Sequence, residues 1–335
     1  MPAASKDGRI DIVEFLRGVA ALLVVFFHYA NSTIPSIKPN PLAAVFAYGR
    51  HGVEMFFVIS GFVIYLTLQR LRGAPTLADL RKFLLRRSIR VVVPAWASLA
   101  LTLVVYYSAY YLYKPLDFGW PAMTGRTAAC NVVMVCSLAG GHWINAVFWT
   151  LEVELCFYLT YSVLLYLWRG DARKVIASYF IFGVALWMTG STRTFPRYML
   201  IFLVGVLLAD ALLRRIEVWT LPLALASLAI VYAQVGIRPV AFSAVAALSI
   251  YALYKIRLPG WLLFLGTISF SLYLTHTLAA FFGESVLKRL LPTLHAESGG
   301  KVVLLFVYAA FATAWSYAFY RLIEAPVVKR ARAIR

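Results

Sequence analysis

Arg17 and His28 bracket the apolar run RGVAALLVVFFH, where groups that prefer water are out of place. A helix turns about 100° and rises about 1.5 Å per residue, so their spacing puts both side chains on one face, about 16 Å apart along the axis. A charged group at membrane depth is costly unless it faces a polar cavity or a partner. Glu14, one turn before Arg17, is such a partner, so one reading is a structural Glu14–Arg17 pair beside an interfacial histidine. The other reading is chemical. A neutral imidazole accepts a proton near neutral pH, which makes His28 a candidate general base and Arg17 a candidate anion contact.

Further polar groups sit in equally apolar surroundings. RKFLLRRSIRVVVP brings Arg86, Arg87 and Arg90 to the expected N-terminal end of a span. Unpaired backbone N–H groups already make such an end positive, so arginines gathered there call for an anion. Phosphate fits, because helix N-termini and guanidinium forks both bind it. Anchoring of the span on lipid phosphate is the competing reading. FWTLEVELCFYL holds Trp149, Glu152 and Glu154. Two residues apart, the carboxylates point about 160° from each other, so only one can share a cavity with His28. HGVEMFFVISGF supplies His51 and Glu54, and GTISFSLYLTH supplies Tyr273 and His276. Packing is the plain reading of Trp149 and Tyr273. His142 and His295 fall in expected outer loops. Histidines and carboxylates thus gather toward one side and the arginine cluster toward the other, a polarity suited to holding an anionic donor on one face and working at the other.

The elements that must position these groups are membrane helices. The chain has 335 residues, 62% hydrophobic and 14% charged, with a mean hydropathy of +0.79. Apolar runs of about twenty residues recur throughout, each long enough to cross a bilayer as a helix. Alternating β-barrel patterning is absent. An all-α polytopic membrane protein follows, with about ten transmembrane helices expected near 10–30, 52–71, 88–113, 146–168, 174–191, 197–213, 218–235, 238–254, 261–283 and 301–321. Between them no stretch is long enough for a soluble domain, so 1–335 reads as a single membrane domain. Glu14 and Arg17 make the first run a retained span rather than a signal peptide. With the N-terminus inside, roughly two thirds of the basic residues fall in the inner segments, which places both termini in the cytoplasm. The net charge of +18 then reflects topology and contact with membrane lipid. No nucleic-acid module accompanies it. Cys130, Cys136 and Cys156 lack zinc-site and CxxC spacing, so no metal is expected. A Cys130–Cys136 disulfide on the outer side and unpaired thiols both fit the sequence.

Six stretches, taken in order, resemble the acyltransferase-3 family of integral membrane acyltransferases: the Arg17…His28 spacing, GVEMFFVISGF, RRSIRVVVP, FWTLEVELCFYL, SLYLTH and YRLIEAP. The resemblance covers nearly the whole chain. It implies transfer of an acyl group, usually acetyl, from acyl-coenzyme A (acetyl-CoA) to a hydroxyl of a carbohydrate or other cell-envelope molecule. O-acetylation of a polysaccharide at a bacterial inner (plasma) membrane is the expectation. It marks His28 as the principal catalytic candidate, Arg17, Arg87 and Arg90 as donor-handling positions, Glu154 as the carboxylate after Trp-x-Leu, and Glu324 as the carboxylate before the last proline. Glu152 departs from the family pattern as a second carboxylate beside Glu154.

The pantetheine arm reaches on the order of 15 Å, close to the Arg17-to-His28 rise. The expected mechanism places coenzyme A phosphates at Arg86, Arg87 and Arg90, threads the arm past Arg17 and uses His28 as base. Glu154, or alternatively Glu54 or Glu152, would orient the His28 ring. A covalent acyl-histidine and direct transfer remain alternatives. A transporter or flippase of an envelope precursor is the competing function, because intramembrane Arg, Glu and His also mark transport paths. No repeat between the halves supports it. A noncatalytic assembly protein is a third possibility.

Overall fold

Long apolar runs with few breakers fold here as helices, since only internally satisfied backbone is stable in hydrocarbon. The computed structural model describes residues 10–31, 36–71, 74–113, 124–190, 194–214, 219–291, 294 and 298–334. His295 lies outside them. Among the described residues there is no strand. Six helical stretches are long and apolar enough to cross a membrane, or seven if one bent pair counts as a single span. The expected fifth, seventh and eighth spans fall on helices of 17, 16 and 17 residues. These reach about 25 Å, short of a typical 30 Å hydrocarbon core.

The chain divides into two units, Met1–Arg70 with Leu200–Tyr320, and Leu71–Met199 with Arg321–Arg335. The hub of the first unit is α1 (Asp11–Asn31). Around it pack α2 (Leu42–Phe46), a 3-10 turn (Ala47–His51) and α3 (Gly52–Leu68) from the N-terminal part. Helices numbered here in chain order follow from the later part: α11 (Ile237–Leu253), α12 (Gly260–Thr267), α13 (Ser269–Leu290) and α14 (Ser298–Phe319). Two glycines set how closely α1 is approached. A Cβ on Gly52 would stand 2.4 Å from the Ala20 carbonyl oxygen, and one on Gly266 would stand 1.9 Å from that of Glu14. Only glycine lets the starts of α3 and the end of α12 come this near. The expected ninth span is broken. Helices α12 and α13 meet at a 60° bend, with the Ser269 hydroxyl donating to the Gly266 carbonyl at 2.7 Å. The start of α1 is tied down by Asp11, which accepts from the Leu258 N–H at 3.1 Å and pairs with Arg257 at 3.8 Å.

The second unit is built on α4 (Leu77–Tyr113), a helix of 37 residues. Its start is a capping arrangement: Asp79 accepts from the Thr76 N–H at 3.0 Å, and Thr76 accepts from the Asp79 N–H at 3.2 Å. Helix α7 (Trp149–Leu167) packs on α4 and on α8 (Ala172–Met188), and the C-terminal α15 (Ala325–Ala333) packs along α4. Between α4 and α7 lie two short helices, α5 (Gly125–Val133) and α6 (Cys136–Ala139), joined by a Cys130–Cys136 disulfide. Asn131 braces this segment, donating to the Thr127 and His142 carbonyls at 2.8 Å each and accepting from the Ile144 N–H at 3.0 Å. Helix α9 (Thr194–Arg214) and a π turn (Tyr320–Glu324) carry the chain from one unit to the other, and α10 (Thr220–Val235) follows α9.

Candidate active site

In the first unit α1 and α13 bring two histidines together. His28 lies in the last turn of α1, and its ring centroid is 5.0 Å from that of His276 on α13, at an interplanar angle of 47°. The two differ in exposure: His28 is partly accessible, whereas His276 is 0% exposed. His276 is held from below by its own helix. Its Nδ1 is 3.1 Å from the Leu272 carbonyl oxygen and 2.9 Å from that of Tyr273. A carbonyl only accepts, so Nδ1 carries a hydrogen, and in the neutral ring Nε2 is then left with a lone pair. That Nε2 is buried without a hydrogen-bond partner. The backbone of His276 is pinned to α1 as well, because the Tyr29 hydroxyl donates to the His276 carbonyl at 2.6 Å. Tyr273, one turn earlier, meets Phe56 of α3 edge to face at 5.8 Å.

Arg17 does have the local partner its sequence offers. Its guanidinium is 3.7 Å from the Glu14 carboxylate, with both side chains about four-fifths buried at 20% and 18% exposure. Glu54 is buried and also has a helix neighbour, His51, whose Nδ1 stands 3.3 Å from Glu54 Oε1. Phe242 of α11 covers the His51 ring at 5.4 Å.

The second unit holds the arginines, and here the local argument made from sequence fails. Helix α4 begins at Leu77, well before Arg86, Arg87 and Arg90. The macrodipole acts over the first turn only, so it does not touch them. The Thr76–Asp79 cap is what starts the helix early, and it lifts Arg90 about 20 Å along the axis from Leu77. At that height α4 faces α7. The Tyr158 hydroxyl donates to Glu154, and Arg87 and Arg90 both lie within electrostatic reach of Tyr158. Phe83 fills the space between, with Arg87 over its ring at 5.8 Å and Tyr158 edge-on at 6.4 Å. Glu154, expected far from the arginines in depth, therefore stands among them. Arg86 points elsewhere: its Nε donates to the Ile334 carbonyl at 3.1 Å, a bond its Nη2 shares.

Glu152 has a different task. It is 1% exposed, and its carboxylate accepts from the backbone N–H groups of Ser137 at 2.9 Å and Leu138 at 2.7 Å. It anchors the disulfide-linked segment to α7. Trp149 begins α7 and lies 5.3 Å from the Tyr198 ring. Glu324 is buried at the end of the π turn, immediately before α15.

Sequence reasoning did not single out Tyr29 or Tyr158. The signal for Tyr158 was present, since a tyrosine four residues after a carboxylate shares its helix face. That for Tyr29 was not, because its partner is 247 residues away.

An all-helical membrane protein with two histidine rings in contact and a set of arginines on an apolar helix defines a class of polytopic enzyme or transporter. The family comparison decides between them. An acyltransferase-domain family model (Acyl_transf_3) matches residues 10–321, nearly the whole chain, so the chain belongs to the acyltransferase-3 family and is a membrane acyltransferase. No characterised protein and no solved structure gives a significant match. The transporter reading has no support from the family.

Proposed function

We propose that the protein is an O-acyltransferase. It moves an acyl group, acetyl in the first instance, from cytoplasmic acyl-coenzyme A to a hydroxyl of an extracytoplasmic or lipid-linked carbohydrate. The observation that supports this best is the partly exposed His28 ring lying 5.0 Å from the fully buried His276, in a chain that belongs to an acyltransferase family. Neutral His28 takes the proton of the acceptor hydroxyl as its oxygen attacks the thioester carbonyl carbon. The C–O bond forms, the C–S bond breaks, and the departing thiolate recovers the proton from the His28 imidazolium. Direct transfer uses no group beyond these.

Arg87 and Arg90 take the donor's phosphates. They carry permanent charge in a forked geometry suited to phosphate, and Glu154 and Tyr158 hold them in place between visits of the anion. Arg86 serves the C-terminal segment instead, through Ile334. Arg17, paired with Glu14, has a positioning role in α1.

The chain crosses a bacterial inner membrane ten times with both termini cytoplasmic. The basic residues of the inner segments favour this orientation. The Cys130–Cys136 disulfide falls on an outer segment in that topology, where disulfides persist. The helices of 16 and 17 residues cross by local thinning of the bilayer.

Purified protein given labelled acetyl-coenzyme A and an envelope glycan releases free thiol only when the glycan is present, and the label moves to the glycan. Thiol release that ignores every hydroxyl acceptor, or none at all, sinks the reading.

A further inference from the structure

A histidine base needs a group that fixes its tautomer. The familiar solution is a carboxylate on the second ring nitrogen. In the first unit Glu14 is taken by Arg17 at 3.7 Å and Glu54 stands 3.3 Å from His51. Against His28 in that unit stands another imidazole, that of His276, with its ring centroid 5.0 Å away.

We propose that His276 is the positioning residue for His28: its Nε2 lone pair accepts the N–H of the His28 ring, so that the opposite nitrogen of His28 presents its lone pair to the acceptor hydroxyl. This rests on the reading of His28 as the base. Three observations support it. His276 is locked in one tautomer by the Leu272 and Tyr273 carbonyls at 3.1 and 2.9 Å. Its Nε2 is buried and has no hydrogen-bond partner, and such an acceptor in a dry site favours any donor that can reach it. An edge-on N–H···N hydrogen bond holds two imidazole centroids about 5 Å apart, and the observed separation is 5.0 Å. The rings are tilted by 47°, and the bond is made on rotation of the His28 side chain toward a His276 that Tyr29 and the two carbonyls hold.

The arrangement also has a chemical logic. When His28 takes the hydroxyl proton it becomes an imidazolium. A neutral lone pair beside it spreads that charge without placing a permanent anion next to the thioester or the departing thiolate. His276 itself gains and loses no proton, so the atoms of the transfer balance as before.

Two substitutions separate this role from simple packing. His276→Asn keeps an N–H near the Nδ1 position, and with it the bonds to Leu272 and Tyr273, but removes the acceptor at Nε2. His276→Gln places an amide oxygen near Nε2 and gives up the carbonyl bonds. The full-length protein in lipid nanodiscs, labelled with 15N-histidine, reports the tautomer of His28 directly, with His28→Ala assigning its signal. In the wild type one neutral tautomer dominates. His276→Asn turns it into a mixture and slows turnover about a hundredfold, the scale of a misdirected general base. His276→Gln keeps the single tautomer and stays within about tenfold of wild-type turnover. An unchanged tautomer in His276→Asn, or an asparagine variant more active than the glutamine variant, overturns the proposal. The nuclear readout does not depend on catalysis. Near-normal acylation by His28→Ala would remove His28 as base while leaving the tautomer result to decide the pairing.

Discussion

The two units each gather polar side chains in apolar surroundings, and they satisfy them by opposite means. In the first, the ring hydrogen bonds of His276 go to carbonyls of its own helix. In the second, Arg87, Arg90, Glu154 and Tyr158 meet as charged and hydroxyl side chains across α4 and α7. A neutral imidazole is the cheaper group to desolvate, and its lone pair stays ready for a proton. Guanidinium groups are expensive to bury, and they keep their charge, which is useful only where a multiply charged ligand arrives. On the proposed function, this contrast assigns proton chemistry to one unit and anion binding to the other.

The contrast can be broken first at His28. His28→Ala should lower acyl transfer by at least about a hundredfold, with the protein still inserted, measured as labelled acceptor formed per inserted protein. Next is the anion side. Arg87→Gln and Arg90→Gln, made singly, should each weaken coenzyme A binding by roughly ten- to a hundredfold, on the scale of a charge-assisted hydrogen bond at about 1.5–3 kcal/mol. Calorimetry with coenzyme A alone tests this, and unchanged affinity would move the phosphates elsewhere. The neighbouring carboxylates sharpen the contrast within one helix. Glu154→Gln should slow turnover more than Glu152→Gln. Glu152→Gln should instead lower stability by about 1–3 kcal/mol, because it disturbs the acceptor for the Ser137 and Leu138 amides. Thermal unfolding and turnover on both variants decide, and the reverse order would exchange their roles. Arg86→Ala is the mildest change. It frees the Ile334 carbonyl and should leave coenzyme A affinity within about twofold, a surface-contact effect.

Much of the architecture was legible because hydrophobic length and composition act locally. The all-helical membrane class and the Glu14–Arg17 pair both follow from spacing along single helices. The limits also have local causes. The third expected span began too late because the Thr76–Asp79 cap outweighs the polarity of residues 81–90, and that error placed the arginines at a helix end they do not occupy. The ninth span reads as one helix because nothing in LLFLGTISFSLYL announces a bend, whereas Gly266 lying against the Glu14 backbone requires close approach there.

What the sequence by itself determined, apart from its family resemblance, is an all-helical membrane chain with an arginine and a histidine on one face of its first helix. The periodicity of an α-helix and the cost of bare charge in hydrocarbon are sufficient for that. Only the tertiary structure decided which partner each polar group meets: His276 beside His28, Glu154 among the arginines, Glu152 on the amides of a disulfide-linked segment. Those partners come from helices far apart in the chain, and hydrogen bonds reach about 3 Å, so no spacing within one helix could have chosen among them.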